Sequence, residues 1–269
     1  HALQLNEDVD AFECDWGGDC LRVRDRARAL PAVYLETTAG GGFTAAGEWL
    51  RSFEYLKERS RGFDYQENLF TPGVFEFEMG QGDVIFLRAG LAPSQEAPAA
   101  QWQREHDRRA AVRERFRDEP GLVRVLKARG EQPLVTNAQG DPTIIAGYPW
   151  FGEWGRDALV SVPGLLLHRQ EPERALQVMC TCAARERQGL LANIVPVDGR
   201  EPKYNGADVA LWLFWAVQKY LAATGDADGV RTRLFAAMER IIHGYADGGD
   251  GHVRLQADGL LWAGSASAQ

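Results

Sequence analysis

The sequence predicts a chain in two parts, an antiparallel β-sandwich followed by part of an α/α toroid. Three observations predict it. Up to about residue 98, short alternating or β-branched runs are separated by glycine-rich turns. The composition then shifts to the strongly charged, helical AAQWQREHDRRAAVRERFRD. Beyond Asp157, helices that are apolar nearly all round alternate with helices that carry a single apolar stripe. The expected domains are 1–98 for the β part, 99–120 for a linker helix and 121–269 for the toroid part.

In the β part, LRVRDRA, AVYLETT, FEFEM and DVIFLRAG read as strands, with GGGF, TPGV and GQGD as turns. The first strands have few evident partners upstream, so the sandwich is expected to be incomplete at its N-terminus. EYLKERSRGFDYQENLFTPG, preceded by Phe53, reads as a long polar insertion with Tyr55, Phe63, Tyr65 and Phe70. Two readings stay open for it, a surface loop with its aromatics tucked inward and a loop that reaches a partner domain.

After Pro120 and Gly121, LVRVLKARGEQPLV reads as a shorter amphipathic helix, and NAQGDPTIIAG as a turn and a short strand. The next residues hold Tyr148, Trp150, Phe151 and Trp154 interleaved with Glu153 and Arg156. Pro149, Gly152 and Gly155 break regular structure there, which predicts a loop. Ala158 to Leu167 follows as a buried helix with Asp157 at its N-terminus, where an anionic side chain suits the free N–H groups and the macrodipole. PERALQVMCTCAARERQ carries the stripe Ala175, Leu176, Met179 and Ala183; ADVALWLFWAVQKYLAA is apolar all round; GVRTRLFAAMERIIHGYADG returns to a stripe of Val230, Leu234, Met238, Ile241 and Tyr245. An all-round apolar helix is enclosed and a striped one covers it from outside, so inner and outer helices alternate as in a toroid. A closed ring of this kind takes six hairpins, and fewer than three are present, so the barrel is expected to be cut short after the hairpin HVRLQADGLLW.

A net charge of −8, with Lys and Arg scattered among acids, speaks against nucleic acid as a partner. No apolar run approaches ~18 residues, so no membrane partner is expected, and HALQLNEDVD lacks the basic and apolar regions of a secretory leader. The cysteines are spaced C-x5-C (Cys14, Cys20) and C-x-C (Cys180, Cys182), the second inside a predicted helix where adjacent side chains diverge. Reduced structural thiols in a cytoplasmic protein, with no metal, are the expectation.

If the inner helices run parallel, their N-termini open on one rim. Asp157 starts the first and Asp208 the second, and the loops ahead of both are rich in polar and aromatic groups. Tyr148, Trp150, Trp154, Arg156, Asp157, Asn193, Glu201, Tyr204, Asn205 and Asp208 are therefore candidates for one mouth. Aromatic faces beside carboxylates suit sugar rings, and two carboxyls suit glycoside hydrolysis, in which one protonates the leaving oxygen and another activates water. Two helix caps at equivalent positions would give the same pattern without chemistry.

AGYPWFGEWGRDALVSVPGLLL and EPKYNGADVALWLFWAVQKYLAATGD closely resemble the C-terminal glucosidase domain of glycogen debranching enzymes of the bacterial and archaeal type. FEYLKERSRGFDYQENLFTPGVF resembles the β-sandwich domain that precedes it in that family. The resemblance implies an (α/α)6 toroid of the six-hairpin glycosidase type behind a β-sandwich. It also implies cofactor-free, inverting amylo-α-1,6-glucosidase activity on the branch-point glucose of glycogen or a branched α-glucan. In related glucoamylase-like enzymes an Arg–Asp pair in a W-x-R-D loop grips the sugar, and a carboxylic acid on a later inner helix is the general acid. Carried over, Trp154, Arg156 and Asp157 bind the terminal glucose and Asp208 is the general acid. The two aspartates could exchange roles; a carboxylate beside Arg156 should be the weaker proton donor, which favours Asp208 over Asp157. The catalytic base of such enzymes lies in the far half of the barrel, expected beyond residue 269, so this portion alone is expected to release little or no glucose. A non-catalytic carbohydrate-binding module and a trehalase-like or rhamnosidase-like hydrolase remain the alternatives.

Overall fold

The computed structural model describes residues 12–26, 30–38, 41–148, 151–197, 199–248 and 253–264. The chain divides into two compact units, His1–Ala111 and Val112–Gln269.

The first unit is antiparallel throughout. β1 (Phe12–Gly17) and β2 (Cys20–Asp25) form a tight hairpin that turns at Gly18, whose φ of 59° suits glycine. β3 (Val33–Thr37) pairs with β2 in a four-stranded sheet. β4 (Gly42–Glu54), a short α1 (Leu56–Ser60) and β5 (Gln66–Glu76) make a long two-stranded ribbon, and β6 (Leu87–Gly90) closes the sheet beside β3. Phe43 stands opposite Phe75 and Trp49 opposite Phe70, the cross-strand aromatic pairs that hold such a ribbon. Phe12 stacks on Phe70 at 4.3 Å and Trp16 lies 5.5 Å from both Phe43 and Phe75, so β1 packs on the ribbon's face. Among the described residues of this unit, Leu21 and Thr37 alone are buried.

The segment expected as a polar insertion is instead a short helix leading into a strand. Tyr55 N–H donates to Tyr65 O, closing the ribbon around α1, and Gln66–Glu76 is the second strand. Its polar residues hid the pairing because the ribbon is wet on one face and twice bulged, between Ala45 and Glu48 and between Leu50 and Phe53.

α2 (Pro98–Arg115) is the charged helix, and α3 (Gly121–Arg129) has no buried residue; Leu122 and Leu126 stand exposed. β8 (Pro142–Gly147) is the expected strand after a turn, but β7 (Leu134–Thr136), whose first two residues were expected to end the preceding helix, pairs with it as a strand. Phe151–Trp154, expected as loop, is a strand, β9, because β8 supplies pairing partners that no local pattern reveals. Trp154 N-caps α4 (Gly155–Val162), so Asp157 sits in the first turn and does not cap it.

The predicted continuation to Leu167 takes another form. Pro163 has no N–H to give Leu159, and the ladder slips into a π-helical turn, Pro163–Leu167, with His168 N–H donating to Pro163 O at 3.0 Å. α5 (Pro172–Ala183) opens on proline at N1 and buries Ala175, Leu176, Met179 and Ala183. Three two-residue strands follow, β10 (Glu186–Arg187), β11 (Leu190–Leu191) and β12 (Ile194–Val195), the last pairing with β9.

α6 (Asp208–Thr224) ends at Gly225, φ 70°, and Asp226 caps α7 (Ala227–Arg233) by accepting Gly229 N–H at 2.9 Å. α8 (Phe235–Asp247) follows after a break at Leu234, and β13 (Val253–Leu255) pairs with β14 (Leu261–Ala263) as the expected hairpin. The four cysteines are free. No helix among the described residues is long and apolar enough to cross a membrane.

The core gathers α4, the π-turn, α5, α6 and the inner faces of α7 and α8. Leu159, Leu166, Met179, Leu191, Leu213 and Ile241 are at most 1% exposed in it. α6 is not enclosed on every side as its composition suggested: Leu213 is fully buried but Leu211 is 46% exposed. Leu213→Ala should therefore cost about 2–5 kcal/mol through lost transfer energy and a cavity, against a much smaller loss for Leu211→Ala. Urea unfolding of the two variants checks that contrast.

Candidate active site

The site is built where two helix N-termini are drawn together by Asn193. This residue is 2% exposed and lies between β11 and β12. Its carbonyl accepts Gly155 N–H at 2.8 Å, satisfying one of the four free donors at the start of α4. Its N–H donates to Lys203 O at 2.8 Å, and Lys203 N–H returns a bond to Ile194 O at 2.9 Å. Its side-chain Nδ2 donates to Asn205 Oδ1 at 3.2 Å. One residue thus ties the strand ahead of α4 to the loop ahead of α6. Asn193 Oδ1 is buried and has no hydrogen-bond partner among the described residues.

Gly155 is dictated by this closure. A Cβ there would meet the carbonyl oxygen of Ala192 at 2.2 Å and Val209 at 3.1 Å, so no larger residue permits the approach of the two segments. On the far side, Tyr245 donates its hydroxyl to Ala207 O, securing the first turn of α6 from α8. Burial pushes the Tyr245 phenol up to about 12.

With both helix starts held, Arg156 reaches across from α4 and grips Asp208. Nε donates to Oδ2 and Nη2 to Oδ1, each at 2.6 Å, a bidentate fork. Trp212, one turn along α6, adds an indole N–H to Oδ2 at 3.2 Å. The Arg156 guanidinium holds the Asp208 carboxyl below its ordinary range, with Trp212 assisting, and the same bond raises Arg156. The acidity argument that favoured Asp208 set Arg156 beside Asp157. The guanidinium is seated on Asp208 instead, so that reasoning reverses for the unliganded site.

The other candidates divide. Asn193, Asn205, Arg156 and Asp208 form the bonded cluster, with Asp157 in the same helical turn as Arg156. Trp154 is half-buried and meets Phe151 edge-on at 5.9 Å; Tyr204 packs partly buried against the core. Tyr148 and Glu201 are exposed and stand outside the cluster, and Trp150 lies outside the described residues. Glu153 points away from the pair into an ion pair with Arg185 at 2.9 Å. The reading of the sequence passed over Trp212, although its i+4 spacing from Asp208 on one helix signals the contact.

The sequence comparisons bear on what this cluster is. Residues 125–269, more than half of the chain, match the family model described as amylo-alpha-1,6-glucosidase. The chain belongs to the amylo-alpha-1,6-glucosidase family. Residues 1–86 match the model described as the glycogen debranching enzyme N terminal. A relative is the glycogen debranching enzyme of Saccharomyces cerevisiae, strain ATCC 204508 / S288c, 32% identical over 110 residues. That alignment covers 39% of this chain and 7% of the yeast enzyme. In amylo-alpha-1,6-glucosidase family terms, the Arg156–Asp208 cluster falls within the matched region, and the chain is of the debranching-enzyme type.

Proposed function

We propose that this chain carries the sugar-gripping groups and the general acid of an inverting amylo-α-1,6-glucosidase site, acting on the single glucose at an α-1,6 branch point of glycogen or a branched α-glucan. The observation that carries the reading is the convergence of the α4 and α6 N-termini through Asn193, which sets an Arg, two Asp side chains and Trp154 on neighbouring turns. Trp154 supplies an apolar face for the sugar ring, and Arg156 and Asp157 supply donor and acceptor for its hydroxyls. Asp208 is the general acid. To hold a proton it must lose Arg156, and sugar hydroxyls that engage the guanidinium provide that release. The Arg156–Asp208 pair favours one alternative: if it stays closed around substrate, Asp157 is the proton donor and Asp208 only anchors the arginine.

The (α/α)6 toroid belongs to the same proposal. It is supported by α4 and α6 packing together while α5 lays its apolar stripe against both and α8 meets α6 through Tyr245. The open flank of α6 supports it as well: Leu211, Ile242, Leu255 and Leu261 are exposed around an apolar groove of about 430 Å³, the kind of face that inner helices of a ring share with one another.

Calorimetric titration of the chain with maltooligosaccharides tests the reading. Binding is expected, and Arg156→Ala should abolish it while the far-UV spectrum is unchanged. A folded wild-type chain that takes up no α-glucan would sink the proposal. A panel including trehalose and rhamnosides separates it from hydrolases of other sugars.

A further inference from the structure

Gly206 stands against the Arg156–Asp208 pair. A Cβ built on it would lie 2.8 Å from Arg156 Nη2 and 3.1 Å from Asp208 Oδ1 and Val209 Cγ2. The φ of Gly206 lies outside the left-handed region, so its backbone accepts alanine without strain. The closest obstruction is therefore the guanidinium fork, with Asp208 and Val209 needing to give only slightly, and it differs in kind from that at Gly155, where the nearest atom is a backbone oxygen that cannot give way. The tip of an arginine side chain can swing aside.

We propose that Gly206 is a positioning residue: lacking a side chain, it leaves the space in which the Arg156 fork lies against Asp208, and so sets how firmly the arginine holds that aspartate. Any side chain at 206 displaces the fork and leaves Asp208 with the Trp212 indole N–H as its remaining side-chain donor. In the proposed glycosidase reading, sugar hydroxyls and Asp208 compete for one guanidinium, and Gly206 sets the strength of the competitor. Its consequence for catalysis rests on that reading; the geometric role does not.

The test follows the Asp208 carboxyl by 13C NMR against pH in the 269-residue chain, without glycan. Because the Arg156 pair holds Asp208 below the ordinary carboxylate range, Arg156→Gln should raise its midpoint. Gly206→Ala should raise it to nearly the same place while the thermal midpoint of unfolding stays close to wild type. A folded Gly206→Ala chain in which Asp208 titrates as in wild type overturns the proposal, as does an Arg156→Gln chain that leaves it unmoved. Should Gly206→Ala fail to fold, the double variant Arg156→Lys with Gly206→Ala decides. Lysine has no planar fork and vacates the space the Cβ needs. Recovered folding supports the role, and a double variant that is also unfolded overturns it by making Gly206 a backbone requirement. Because no sugar enters the assay, failure here is distinguishable from failure of the glycosidase reading, which the calorimetric titration decides alone.

Discussion

On the proposed glucosidase reading, Asp208→Asn is expected to lower kcat for glucose release from a phosphorylase limit dextrin by about 10²–10⁴-fold, the contribution of a positioned general acid. Oligosaccharide binding should survive. Asparagine keeps the shape of the carboxylate but not its charge, so Arg156 is freed from its fork and remains able to meet sugar hydroxyls. The split between kcat and KM is the informative quantity, since loss of a proton donor lowers the first and loss of a gripping residue raises the second. Asp157→Asn should show the opposite split, raised KM with a smaller fall in kcat. Near-normal kcat for Asp208→Asn, with collapse for Asp157→Asn, would reassign the proton to Asp157 and leave Asp208 as an anchor.

Truncation of Arg169 to alanine should destabilise the helical unit by about 3–5 kcal/mol, the range for removing one partner of a buried ionic cluster. Its side chain is 1% exposed. Nη2 bonds Glu131 and lies 3.1 Å from Glu171, while Arg174 sits 3.3 Å from both carboxylates. Arg115 bonds Glu171 at 2.8 Å and the Arg169 carbonyl at 2.7 Å, and the Arg169 guanidinium lies over the Phe116 ring at 5.5 Å. Truncation removes the buried member of the cluster and leaves Glu131 and Glu171, 22% and 12% exposed, to the more exposed Arg174 and Arg115.

The pH dependence has a definite sign. Burial is the strongest single influence on Glu131 and pushes it up, but the bonds and charges of Arg169 and Arg174 together outweigh it, and the net folded value lies below the ordinary one. A depressed carboxylate contributes stability that is present above its unfolded value of about 4.3 and is lost as pH falls through the folded value. In Arg169→Ala the burial effect gains ground, so the deficit relative to wild type should be largest at neutral pH and narrow on acidification. Urea unfolding at pH 7 and at pH 4 measures that narrowing; a deficit independent of pH would make Arg169 a packing residue only.

Much of the helical half is legible locally. Gly225, Asp226 and Pro172 punctuate the helices by backbone rules that need no tertiary information, and the stripes of α5 and α8 face the core as their periodicity predicts. The ribbon β4–β5 and the strand β9 were not legible, because their partners lie across a connection and their own composition is polar or aromatic without alternation.

By itself the sequence determined the order of a β part and then helices of two kinds. It also placed an aspartate in the first turn of α4 and another at the start of α6, since caps, turns and periodicity are short-range properties. Only the tertiary structure decided which aspartate Arg156 holds. Adjacent residues on a helix point about 100° apart. Arg156 therefore passes over its sequence neighbour Asp157 and meets Asp208, 52 residues on, which Asn193 and the bare Gly206 bring within 2.6 Å.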